Sequence, residues 1–159
     1  MSVAFTKEED SESAAAALPD RPISPHPNLV TPEGLAQLDA GLAAAQGAYA
    51  AAQAQGEIST DRTAMARATR DLRYFSARRA SAQLIERPEQ ADRVAFGGAV
   101  TLEREDGRVQ TWRIVGEDEA DPAHGSVSYI SPLARAVLGK EVGDTVALGG
   151  QDLEITSIA

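Results

Sequence analysis

Two stretches of this chain repeat one apolar spacing, and a short break separates them. Leu35, Leu38, Leu42, Ala45, Tyr49 and Ala52 follow one another at intervals of three and four, and so do Met65, Ala68, Leu72, Phe75, Arg79 and Ala82. That interval is the seam of a coiled coil, in which apolar side chains return to one helix face. The break, QGEISTDRT at 55–63, holds a helix-stopping Gly56 and the capping residues Ser59 and Thr60. Two seams of similar length across a short loop predict an antiparallel helical hairpin over residues 30–87.

The first helix has a clear start. Thr31 suits the N-cap, Pro32 the first helical position, and Glu33 complements the helix dipole. The second helix is expected from about Asp61 to Leu84, with Arg79 as the one charged member of its seam. Arms of about 24 residues reach roughly 36 Å at 1.5 Å per residue. The first seam weakens from leucine to alanine towards Gly56, and Gly41 and Gly47 lower helix stability further. The tip is therefore expected to fray more than the base. Hydrophobic residues make up 43% of the chain but aromatics only 4%, and much of the apolar content is alanine, which favours helix yet buries little area. The hairpin needs a compact partner domain that holds most of the Val, Ile and Leu.

Residues 94–159 supply that domain. Ala99–Glu105 and Arg108–Val115 read as strands around Asp106-Gly107, a strong hairpin turn signal. Gly116–His124 (GEDEADPAH) is an acidic loop, and Ser126–Ile130 a further strand. Ser131-Pro132 opens a short helix, with Ser131 as cap and Gly139 as stop. Thr145–Leu148 and Leu153–Ile158 are two more strands around Gly149-Gly150. Trp112 alternates with Ile114 and belongs to the core. The fold class is thus α+β, a helical hairpin followed by a small β-rich domain with one short helix. Residues 1–29 read as a flexible arm, acidic at first and then broken by Pro19, Pro22, Pro25 and Pro27, which hold the backbone extended. The alternative is a strip that packs on a partner or on the body of the protein.

Several function classes drop out. Without cysteine there are no disulfides or thiolate metal sites, as suits a reducing cytoplasm. The first residues, MSVAFTKEED, lack the apolar core of a signal peptide, and no run approaches the roughly 20 apolar residues of a membrane span. A net charge of −9 argues against coating nucleic acid, whose affinity comes mainly from neutralised phosphates. No nucleophile–base arrangement, phosphate loop or nucleotide fingerprint is present. Glu117, Asp118, Glu119 and Asp121 stand near His124, but consecutive acids rarely converge on one ion, so the segment reads as a solvated loop. No cofactor of its own and no metal in isolation are expected.

The segments VAFGGAVTLE (94–103), WRIVGEDEAD (112–121) and SYISPLARAVLGKEVGDTV (128–146) closely resemble the C-terminal domain of the bacterial GreA/GreB transcription elongation factors. LVTPEGLAQL (29–38) is similar to the opening of that family's coiled coil, and PDRPISPHPN to the arm of some members. The resemblance implies an N-terminal antiparallel coiled coil and a C-terminal domain of FKBP-like fold. It implies a cytoplasmic, monomeric accessory factor of bacterial RNA polymerase, with DNA-binding assigned at the family level. The globular domain would dock on the rim of the secondary channel through Asp121, Ser131 and Pro132. The coil would enter the channel, where an acidic pair at its tip helps hold a catalytic Mg²⁺ and the polymerase cleaves backtracked RNA. Mg²⁺ prefers oxygen ligands, which is why that tip needs carboxylates.

The tip departs from the family pattern Gly-Asp-Leu-Ser-Glu-Asn. Aligned on Gly56, the first acid is Glu57, but the second falls on Thr60, and Asp61 comes one residue late. The arms also align as shorter than the family's by roughly a turn or more, about 5.4 Å per turn. Cleavage stimulation is therefore doubtful, and a capping loop is the preferred reading. The alternative is an active cleavage factor using Glu57 and Asp61, which are four apart and share a helix face if the helix starts early. Arg62, Arg67 and Arg70 are the candidate contacts to polymerase or to the nascent RNA 3′ end. Two other classes stand beside this one: a short-coil relative of the regulators of nucleoside diphosphate kinase, and an isolated FKBP-like isomerase, disfavoured because such enzymes need an aromatic-lined pocket.

Overall fold

The computed structural model describes residues 18–55 and 62–159. It divides into two units. Among the described residues, one holds those up to His26 together with Leu38–Ser81; the other holds Pro27–Gln37 and Ala82–Ala159. Tip residues Glu57 and Asp61, with the rest of the loop, lie outside the described residues.

The first unit is helical. Helix α1 runs Pro32–Gln55 and α2 runs Arg62–Ser81, three residues short of the expected Leu84. Arg79 bonds Asp39 at 2.5 Å, and the Phe75 ring lies against Gly41. Position numbers rise on one helix as they fall on the other, so the helices are antiparallel. Leu38, Ala45 and Ala68 are buried along the seam, while Leu42, Tyr49, Met65, Leu72 and Phe75 are half-buried. A buried leucine contributes about 2 kcal/mol and an alanine far less, so Leu38 anchors the seam more firmly than Ala45 or Ala68.

Two features differ from expectation. Arg78 is 2% exposed, whereas Arg79, the expected charged member of the seam, reaches a carboxylate at its edge. The described part of the arm is also attached rather than free. The Arg21 guanidinium stacks 3.8 Å over the Tyr74 ring and reaches Asp71, while Asp20 pairs with Arg73 at 3.1 Å. Residues 18–24 have no regular secondary structure and the chain bends at Pro25-His26, while Asp20 and Arg21 meet side chains of α2.

The second unit contains two sheets. Strands β1 (Leu29–Val30) and β2 (Gln83–Leu84) form a two-stranded parallel ladder. The larger sheet comprises β3 (Ala99–Arg104), β4 (Val109–Val115), β5 (Ser126–Ser128), β6 (Thr145–Leu148) and β7 (Gln151–Ile158) in the order β5-β4-β3-β7-β6, with only β4–β5 parallel. The β3–β4 hairpin turns at Asp106-Gly107, where Gly107 takes the left-handed conformation (φ 85°) that glycine allows without strain. Val100, Leu102, Ile114, Val127, Val146, Leu153 and Ile155 form the core with Ala134 and Val137 of helix α3 (Pro132–Val137). Trp112 packs half-buried against it, as expected. The architecture is α+β.

Candidate functional site

Thr31 sits at the head of α1 and is 1% exposed. Its hydroxyl oxygen accepts from the Gly34 N–H at 3.0 Å, which is the N-cap bond expected from the sequence. The same hydroxyl donates to Glu119 Oε2 at 2.5 Å, the short length typical of an O–H bonded to a carboxylate. The Arg113 guanidinium lies between Glu33 Oε2, at 3.0 Å from Nη2, and Glu119 Oε1, at 3.9 Å from Nη1. Its Nε also donates to the Gly97 carbonyl. The Glu33 carboxyl is held below its ordinary value, first by its own backbone N–H and then by Arg113.

The acidic loop is therefore not uniformly solvated. Glu119 turns inward, with 8% of its side chain exposed, while Asp118 and Asp121 remain outside. Adding a Cβ at Gly34 would place it 2.7 Å from Glu119 Oε2, so the glycine makes room for that carboxylate. Further back, Gly116 packs directly on the Leu29 carbonyl, and the Tyr129 hydroxyl donates to the Pro27 carbonyl at 2.6 Å. Residues 27–34 thus underlie the loop. Between loop and helix head lies an open, polar cleft of about 510 Å³, lined by Gln37, Arg113, Asp118, Glu119, Asp121 and His124 among others.

Asp121 and Ser131-Pro132 flank the two ends of β5, which at three residues spans roughly 10 Å. Asp121 and Pro132 are exposed and Ser131 half-buried. The Asp121 N–H donates to Ser126 Oγ at 2.9 Å, and its carboxylate lies 2.6 Å from His124 Nδ1. Ser131 caps α3 by accepting from the Ala134 N–H at 3.2 Å, so its hydroxyl has a structural task whatever else it meets. Arg62 and Arg67 are exposed on α2 and Arg70 is half-buried, its Nε enclosed. No group of three or more His, Asp or Glu among the described residues is arranged to hold a metal ion, and no described helix is long and apolar enough to cross a membrane.

Arg113 and the inward turn of Glu119 were not legible beforehand. Four acids crowd residues 117–121, and nothing local marks the one that meets Thr31, 88 positions away.

The family model described as "Transcription elongation factor, GreA/GreB, C-term" matches residues 89–159. Transcription elongation factor GreA of Verminephrobacter eiseniae is 40% identical over 108 residues, 62% of this chain and 68% of the relative. GreB of Neisseria meningitidis serogroup B is 42% identical over 95 residues, 56% of this chain and 58% of the relative. The chain belongs to the GreA/GreB family. It spans little more than half the length of several curated relatives, 57%, 58% and 52% in three cases. Among solved structures, the GreA factor homolog 1 protein of Thermus thermophilus aligns over 84% of this chain and 99% of its own, with a TM-score of 0.40 and 17% identity.

Proposed function

We propose that this protein is a cytoplasmic accessory factor of bacterial RNA polymerase, acting during elongation. The observation that carries this reading is the family match over 89–159, which contains Asp121, Ser131 and Pro132. These three residues dock the globular unit on the rim of the secondary channel. The exposed Asp121 and Pro132 suit such a contact, and an acidic loop complements a basic rim. The hairpin enters the channel as a monomer, with Arg62, Arg67 and Arg70 turned towards polymerase or the RNA 3′ end.

In this reading the tip occupies the channel without completing the polymerase's Mg²⁺ site. Thr60 stands where the family pattern has its second acid, and it supplies no carboxylate. Metal ligation needs oxygen within about 2.1 Å of Mg²⁺, a tolerance that a shifted Asp61 on a shortened arm does not meet. The factor thus modulates polymerase and competes with true cleavage factors.

The test is RNA cleavage in a stalled, backtracked complex with polymerase from the same organism, with and without an authentic cleavage factor. Loss of that factor's activity without new cleavage is expected. Cleavage above the polymerase's own rate that Glu57→Ala with Asp61→Ala abolishes would instead establish an active tip. If neither effect appears at saturating protein, the channel assignment fails.

A further inference from the structure

We propose that Glu119 is a positioning residue for docking: clamped by Thr31 and Arg113, it fixes the acidic loop in the conformation that presents Asp121. The inference rests on the docking role proposed for Asp121. Glu119 itself is too enclosed to meet a partner, with 8% of its side chain exposed, and it stands two residues from exposed Asp121. Both of its oxygens are engaged, Oε2 by the Thr31 hydroxyl and Oε1 by Arg113. The next residue continues the restraint, since the Ala120 N–H bonds the Gly116 carbonyl at 3.1 Å. On its far side Asp121 is held by Ser126 and His124. The loop is restrained on both sides of Ala120, and on one of them the contact is with Thr31 at the head of α1. What supports the docking surface therefore extends beyond the stretch that the family model matches, to the buried Thr31 and Gly34.

Three full-length variants test this. Thr31→Val removes the hydroxyl but keeps the shape. Thr31→Ser keeps the hydroxyl and is the rescue. Gly34→Ala favours the helix yet places a methyl against the Glu119 carboxylate, so it displaces Glu119 without weakening α1. Affinity for RNA polymerase core enzyme is measured where each variant is folded by circular dichroism. Loss of a hydrogen bond to a charged group corresponds to about tenfold. Thr31→Val and Gly34→Ala are expected to weaken binding about tenfold, and Thr31→Ser by less than about twofold.

The free protein supplies a second readout. Amide exchange at Ala120 and Asp121 should rise about tenfold in Thr31→Val and Gly34→Ala but not in Thr31→Ser. Unchanged exchange overturns the clamp, whether or not polymerase binds. Faster exchange with wild-type affinity overturns its role in docking. If the wild-type protein fails to bind polymerase, the docking reading itself fails, and exchange alone then decides whether the clamp orders the loop.

Discussion

Two of the glycines inside α1, Gly41 and Gly47, should respond to alanine in opposite ways. A Cβ at Gly47 meets nothing within 4 Å, so Gly47→Ala gains the full helix-propensity difference, about 0.8 kcal/mol. A Cβ at Gly41 would lie 2.5 to 2.9 Å from three atoms of the Phe75 ring. Real carbon contacts begin near 3.5 Å, so the ring must move. It is not free to do so, because it packs edge-on against Tyr74 with centroids 5.4 Å apart, and Tyr74 carries Arg21 of the arm. Overpacking of this kind costs about 1–3 kcal/mol, which exceeds the propensity gain. The net loss at Gly41 is about 1 kcal/mol, and the two variants should differ by about 2 kcal/mol. In a unit of this size 1 kcal/mol moves the midpoint by roughly 4–8 °C. Thermal unfolding followed by far-ultraviolet circular dichroism should show Gly47→Ala several degrees above wild type and Gly41→Ala several degrees below. Combining Gly41→Ala with Phe75→Leu isolates the clash, since the methyl then has room and its cost should largely vanish. The reasoning is refuted if both glycines accept alanine equally well, or if the cost at Gly41 persists beside leucine.

Other perturbations follow from contacts in either unit. Because the folded-state pKa of Glu33 is lowered, its stabilising contribution is present above the ordinary value of 4.5 and is lost as pH falls through the folded value. Glu33→Gln should therefore lower the unfolding midpoint at pH 7 and match wild type in strong acid; a gap that stays constant with pH would refute the pairing. Arg21→Ala removes the stack on Tyr74, worth about 0.5–1 kcal/mol. Amide exchange across residues 20–26 should rise, and unchanged exchange would mean that the prolines alone hold the arm. Gly116→Ala drives a methyl into the Leu29 carbonyl, which is backbone and cannot rotate away. A loss of about 2–4 kcal/mol in urea unfolding is expected, and a loss below about 0.5 kcal/mol would show that β1 shifts freely.

Elements with local signals were readable in advance. The heptad interval placed Leu38, Ala45 and Ala68 on the buried seam, Asp106-Gly107 marked the β3–β4 turn, and Ser131-Pro132 marked the start of α3. Each rests on residues close together in the chain. The features that escaped are non-local. The β1–β2 ladder joins strands of two residues each, too short to show periodicity, and its register depends on a partner far along the chain. Arg78 is buried and Arg79 is not, although the two are adjacent on one helix, and nothing in their local sequence separates them. The arm reads as detached because prolines predict extension, while the Arg21 stack depends on Tyr74 being presented by another element. The docking candidates themselves came from the family resemblance and not from spacing. Of the loop carboxylates, only contact with Thr31 distinguishes Glu119.

The ladder between β1 and β2 makes the larger unit discontinuous in sequence. Its chain leaves after Gln37 and returns at Ala82, so the hairpin segment Leu38–Ser81 is an insertion, and the β1–β2 ladder stitches together the chain on either side of it. For a flexible loop, doubling the length adds only about 0.6 kcal/mol to the cost of closure. A loop that folds into an antiparallel pair of helices brings its own ends together and removes most even of that. Whole heptads could thus be added to or deleted from both arms while the host domain keeps its pairing. Reach is then free to vary independently of the docking surface proposed for the larger unit.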